Sequence, residues 1–144
     1  MAKAVFDTTV LVSAFLRPKP GGPSFDLLAL AHEGAFDLYL SDDILEETAR
    51  VLLQSKRIRR RYIYPDEAAI EYCRALAELA TVVAKVPVIR VVRDPNDDMI
   101  LAAAIAAKAN VLVTRDDDLL SLGTHEKIAI ITPEIFLAKL RAES

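Results

Sequence analysis

The chain has 144 residues, 53% of them hydrophobic and 27% charged, and a formal net charge of −3. Such a length suits one domain over 1–144 that buries most of its unfolded surface, and the slight negative charge excludes a general nucleic-acid coating protein. No apolar run reaches the roughly 18 residues that cross a bilayer.

Met1-Ala2-Lys3 runs straight into a strand pattern, which leaves no room for a signal peptide. The lone Cys73 excludes an internal disulfide and reads as a small buried apolar residue. The expectation is a cytoplasmic protein with no membrane contact.

In chain order, Ala4-Val5-Phe6 predicts a buried strand over 3–6, followed by a helix over 8–16. Arg17-Pro18-Lys19-Pro20-Gly21-Gly22-Pro23 is a loop, and a second helix runs over 24–33 with Gly34 as its stop. Residues 36–40 read as a strand, and Ser41 as the N-cap of a helix over 42–53. Beyond Pro65, residues Ile70, Cys73, Ala77 and Ala80 mark another helix. Residues 81–84 form a β-branched strand, and 88–92 a further extended segment. The helix over 95–108 is apolar on nearly every side, so it must be covered all round. A strand over 111–114, a helical turn over 116–122, a strand over 128–131 and a helix opened by Pro133 complete the chain. Strands and helices alternating in this way, with continuously apolar strands, predict a three-layer α/β/α sandwich around a mainly parallel sheet of about five strands.

Acidic residues stand where apolar runs end. Asp7-Thr8-Thr9 closes the first strand, where Asp7 taken by itself reads first as a helix N-cap and second as a ligand carried on a strand tip. In the helix over 42–53, Ile44, Leu45, Thr48, Val51 and Leu52 make one buried stripe. Glu46 falls opposite that stripe and Glu47 on its edge. Glu47 therefore either leans into a crevice or pairs with Arg50 or Arg93. In Asp94-Pro95-Asn96-Asp97-Asp98, the N-cap and the helix dipole account for part of the acidity but not all of it. Thr114-Arg115-Asp116-Asp117-Asp118 repeats the hydroxyl-plus-carboxylate pattern of Asp7. Carboxylates converging on one crevice repel unless a cation lies between them, which points to a hard divalent metal and chemistry on phosphate.

Lys56, Arg57, Arg59, Arg60 and Arg61 form a basic run that is either a solvated helix end or a phosphate-backbone contact. Tyr62 and Tyr64 follow it, either to stack on bases or to pack the loop down.

The segments AVFDTTVLVSAF, LSDDILEETARVL, DPNDDMILAAAIAAKANVLVTRDDDLL and IITPEIFL, in this order from Ala4 to Leu137, resemble the PIN domain, a family of metal-dependent ribonucleases. Within it the chain is similar to the small prokaryotic stand-alone branch related to VapC-type toxins of toxin–antitoxin systems. The resemblance implies catalytic acids at Asp7, Glu47, Asp97 and Asp116, with metal held by Asp7, Asp97 and Asp116. Counting back from Thr114 makes Asp98 the alternative third acid. It implies supporting roles for Thr9 and Thr114, and Arg115 stands where the branch has a small residue. Mg²⁺ or Mn²⁺ is the implied cofactor, and RNA the implied substrate, cut endonucleolytically to 5′-phosphate and 3′-hydroxyl ends. Arg57, Arg59, Arg60 and Arg61 are the RNA-binding candidates, and the implied partners are an antitoxin protein and a second copy in a homodimer. A haloacid-dehalogenase-type phosphatase would need a second Asp where Thr9 stands. The alternative within the family is a catalytically degenerate PIN domain that only binds RNA or protein.

Overall fold

The first strand, β1 (Lys3–Phe6), is the axis of the fold, and Ala4, Val5 and Phe6 have no exposed surface. The computed structural model describes residues 1–143 and contains a six-stranded sheet; Ser144 lies outside the described residues. The other strands are β2 (Asp37–Ser41), β3 (Thr81–Val83), β4 (Val111–Val113), β5 (Thr124–His125) and β6 (Ile128–Ile131). Their order is β3-β2-β1-β4-β6-β5, parallel throughout except for β5. The helices are α1 (Thr8–Leu16), α2 (Pro23–His32), α3 (Asp42–Gln54), α4 (Lys56–Arg61), α5 (Asp66–Leu79), α6 (Pro95–Ala107), α7 (Asp117–Leu120) and α8 (Pro133–Glu143). The architecture is the expected α/β/α sandwich.

Chain order places the site. From β1 the chain moves outward through β2 and β3, then returns to the other side of β1 for β4 and β6. Such a reversal opens a crevice between the carboxyl ends of the two strands that flank it. Here those are β1 and β4, paired with Val5 beside Leu112 and Phe6 beside Val113. Residues just past either end face that crevice.

Two apolar clusters hold the frame. The larger one joins the strands to Leu27, Leu101 and an aromatic group of Phe6, Phe36 and Phe136. Phe136 meets Phe36 at 5.0 Å between ring centroids and Phe6 at 6.4 Å, both edge-on. Helix α6 is built of small apolar residues and buries Ile100 through Ala104 against the sheet. The second cluster, Val12, Leu52, Ile58 and Ala69, joins α1, α3, α4 and α5. Tyr64 ties it down: its hydroxyl donates to the Leu52 carbonyl at 2.6 Å, and its ring lies 4.9 Å from Phe15.

Three local features differ from expectation. Residues 88–92 pair with no strand, and Val88 is 93% exposed. The extended segment is instead a strap whose Val91 and Val92 amides donate to Asp98, so a β-branched composition alone did not earn a place in the sheet. The basic run folds as its own short helix, α4, capped by Ser55 accepting from the Ile58 amide. The sixth strand, β5, forms a hairpin with β6 across Glu126 and Lys127, both at positive φ (47° and 69°). A two-residue turn of that conformation normally carries Asn or Gly, so its sequence signal was absent.

Truncating one ring of the aromatic group tests this core. Phe136→Ala should lower unfolding free energy by about 3–5 kcal/mol, the usual result of emptying a buried aromatic site. The check is a urea titration in which the midpoint falls while the slope stays constant.

Candidate metal centre

Asp7 is the residue after β1, and it both caps α1 and faces the crevice. One carboxylate oxygen accepts from the Val10 amide at 3.2 Å and from the Thr9 hydroxyl. The other accepts from the Thr114 hydroxyl, just past β4. Thr114 in turn accepts from the Asp116 amide at 3.0 Å, so one fully buried hydroxyl links the two strand tips. Burial pushes the Asp7 carboxyl above its ordinary value, against the pull of Thr114, Thr9 and the Val10 amide, which favour the charged form. Asp7 is thus both cap and crevice acid.

The Asp94–Asp98 cluster divides by function. Asp94 caps α6 through the Asn96 amide at 2.9 Å. Asp97 and Asp98 are both buried but turn different ways. Asp98 accepts from the Val91 and Val92 amides at 2.8 and 2.7 Å, anchoring the strap. Asp97 lines the crevice with Asp7 and Asp116, and its Oδ2 is buried without a hydrogen-bond partner. Burial, then the charges of Asp116 and Asp94, then a proton shared with Asp116, and last the charge of Asp7 push Asp97 up to about 7. Protonation of Asp97 relieves its repulsion with these neighbouring carboxylates. A cation would serve the same need.

Asp116 caps α7 by accepting from the Asp118 amide at 2.8 Å. Carboxylate oxygens of Asp97, Asp116 and Asp118 all lie within 4.8 Å of one another. The sequence pattern singles out Asp116 and not Asp118; the signal for Asp118 is its place two residues past Asp116, where the helix cap folds it back. Glu47 also lines the crevice, with its neighbour Glu46 exposed as the helical stripe required. It is held at the rim by Arg50, in a two-pronged pair at 2.5 and 3.1 Å. The donors are all oxygens, several of them crowded, and one is orphaned; that set fits a hard divalent cation.

The basic residues also separate. Arg57 and Arg61 line the same crevice as the acids, with Tyr62 and Arg17. Arg59 is committed to structure: it donates to the carbonyls of Leu52 and Tyr64, pairs with Asp66 at 2.9 Å and covers the Tyr64 ring. Arg60 is exposed and does not border the crevice, so it and Arg59 do not share the position of their neighbours. Arg115 reaches the crevice mouth but pairs with Glu134 of α8 at 2.7 and 3.1 Å.

The raised Asp97 carboxyl has a signed consequence for stability. Its ordinary value is 3.8, so between roughly pH 4 and 7 the unfolded chain ionises it while the folded metal-free chain resists. The stability associated with its protonated form is complete below pH 4 and is lost as pH rises through 7. Asp97→Asn lacks this loss, so with chelator present it should melt higher than wild type at pH 8 and level with it near pH 4. Comparing the two proteins cancels the carboxylates that do not interact with Asp97; a constant offset across that range would contradict the assignment.

The family model described as "PIN domain" matches residues 3–118. No curated protein matches the chain in sequence. Among solved structures, PAE2754 from Pyrobaculum aerophilum aligns with a TM-score of 0.65 and 18% identity, over 98% of this chain and 90% of that one. A chain from the Rickettsia felis VapBC2 complex, solved bound to a DNA fragment from its promoter, aligns with a TM-score of 0.59 and 16% identity, over 90% of this chain and 98% of that one. At these identities the two structures speak for the fold. With a family model spanning most of its length and four acid-bearing segments meeting at one crevice, the chain belongs to the PIN domain family.

Proposed function

We propose that the chain is a divalent-metal-dependent endoribonuclease, one nuclease domain from end to end, acting in the cytoplasm as the toxin of a toxin–antitoxin pair. The observation that carries this reading is the convergence of Asp7, Asp97 and Asp116, from three separate elements, with one oxygen of Asp97 buried and partnerless. Carboxylates crowded together against their mutual repulsion are accounted for by a cation between them. In this reading Asp7, Asp97 and Asp116 hold Mg²⁺ or Mn²⁺, with Asp118 alongside and Glu47 at the rim. When bound, such an ion lowers the pKa of a water and stabilises charge developing on a phosphate.

The chain's own side chains supply the positioning. Thr9 and Thr114 fix both oxygens of Asp7, and the amides of Val10 and Asp118 fix Asp7 and Asp116. Asp98 plays a different part here, holding residues 91–92, so Asp97 is the third acid of this proposal. The toxin assignment, with an antitoxin protein and a homodimer as partners, draws support from the fold shared with the VapBC2 chain. No helix among the described residues is long and apolar enough to cross a membrane.

The test is cleavage of single-stranded and structured RNA with Mn²⁺ or Mg²⁺ and with chelator. Asp7→Asn should abolish cleavage while circular dichroism shows an intact fold. Metal should also raise the melting temperature, by the equivalent of about 2.7 kcal/mol at a hundredfold excess over Kd, and Asp97→Asn should blunt that rise. A folded wild-type protein with neither cleavage nor a metal-dependent shift would instead be the degenerate binding module.

A further inference from the structure

The crevice is lined by both signs of charge. Asp7, Asp97, Asp116 and Glu47 share it with Arg57, Arg61 and Arg17, and apolar side chains from α1, α3 and α4, among them Val12, Leu16, Val51 and Ile58, line it as well. The whole cleft measures about 610 Å³, more room than a metal and one phosphate fill. The cleft therefore has space for a further group beside the arginines.

The arginines of α4 indicate what that is. Helical geometry sets Arg57 and Arg61 four residues apart on one face, the face turned to the crevice. Arg59 is turned into the Leu52–Tyr64 contact, and it is the one that holds α4 in place. Neither Arg57 nor Arg61 forms an ion pair among the described residues, although Glu47 lines the same cleft. Two cations left uncompensated at the edge of an acidic site are placed for an anion from outside. Beside them, the Arg61 guanidinium lies 5.6 Å from the centre of the Tyr62 ring, and Arg17 holds the Tyr62 phenol below its ordinary pKa. A paired cationic edge, an aromatic ring and an apolar floor together match a phosphate joined to a flat, weakly polar ring system. That ligand is a nucleotide.

We infer that the α1–α4 end of the crevice is a nucleotide subsite, in which Arg57 and Arg61 hold the phosphate next to the one being cut and the base lies on the Leu16–Ile58 floor beside Tyr62. This rests on the nuclease reading for its place beside the scissile bond but not for the binding itself. Because an acidic centre repels RNA, the subsite also supplies the attraction that brings the chain's backbone across it. It has no need to read sequence, since apolar and aromatic surfaces accept any base.

The experiment titrates the full-length, chelator-treated protein with 5′-AMP and with ribose 5-phosphate, followed by calorimetry or amide chemical shifts. The wild type should bind 5′-AMP at least about five-fold more tightly than ribose 5-phosphate, the base contributing a stacking contact. Arg57→Gln and Arg61→Gln should each weaken 5′-AMP about ten-fold, the loss of one charge-assisted hydrogen bond, whereas Arg60→Gln should not. Circular dichroism and melting temperature establish that each variant folds; Arg57→Lys, which keeps the charge, should retain part of the affinity. Without metal, the result is independent of cleavage: binding that follows Arg57 and Arg61 supports the subsite even if the wild type cuts no RNA. Binding unchanged in both variants, or lost equally in Arg60→Gln, overturns it even if cleavage is robust. Equal affinity for ribose 5-phosphate overturns the base-binding floor.

Discussion

Placing a carboxylate at the tip of the most buried strand in a sheet is costly unless both oxygens are satisfied, and the hydroxyl of Thr114 is what makes Asp7 tolerable there. It donates to Asp7 across the β1–β4 pair while accepting from the Asp116 amide. The same hydroxyl therefore spaces two acids from two strands whose register the sheet already sets. With Thr9 and Val10 on its other oxygen, Asp7 has no freedom left to swing away from its neighbours. Packing, not attraction, keeps these charges together. Asp97 arrives on α6, whose small side chains let the helix lie close on the sheet, and there it has no such donor. Burial raises both carboxyls, but Asp7 has donors that favour its charged form, whereas at Asp97 the neighbouring acids add to burial and push it up to about 7.

Accepting a backbone amide does not by itself take an acid out of the site. Asp94 caps α6 and Asp98 spends its buried oxygen on the strap over 91–92, while Asp7 and Asp116 cap helices and line the crevice as well. Such contacts explain an acidic residue at a helix start without any ligand. Asp97 has none of them and yet is buried. Adjacent in sequence and alike in burial, Asp97 and Asp98 are separated only by which partners the fold brings to them.

Most of the fold was legible because its signals are local and strong: buried apolar strands, Ser and Asp caps, Pro at helix starts and Gly34 past the end of α2. The convergence of Asp7, Asp97 and Asp116 was legible too, since a parallel α/β sheet gathers residues at strand carboxyl ends. The choice between Asp97 and Asp98 was not, because both occupy the first turn of α6 and only the strap, distant in pattern though near in sequence, distinguishes them. The hairpin at Glu126-Lys127 escaped for a similar reason: its positive φ values are imposed by the sheet, not chosen by the residues. In the basic run, sequence established the charge but not its direction. Five cations in six residues divide among a crevice wall, a structural anchor and open solvent only once α4 has a fixed rotation.

That rotation follows from an apolar residue. Ile58 is the buried member of α4 and packs with Val12, Leu52 and Ala69, while Arg59 binds the carbonyls of Leu52 and Tyr64. With 58 inward, 57 and 61 must lie together to one side, as helical geometry demands. The charge of the crevice wall is therefore set by hydrophobic packing one residue away. The Arg50–Glu47 pair works the other way: it is a two-pronged ion pair at the solvent edge of α3, and such pairs are worth about 0–1 kcal/mol. Arg50 keeps Glu47 at the rim without committing it. The acids and bases of this cleft can share one small space because the firm positions are secured by burial and backbone contacts, and the loose ones by ion pairs weak enough to be exchanged.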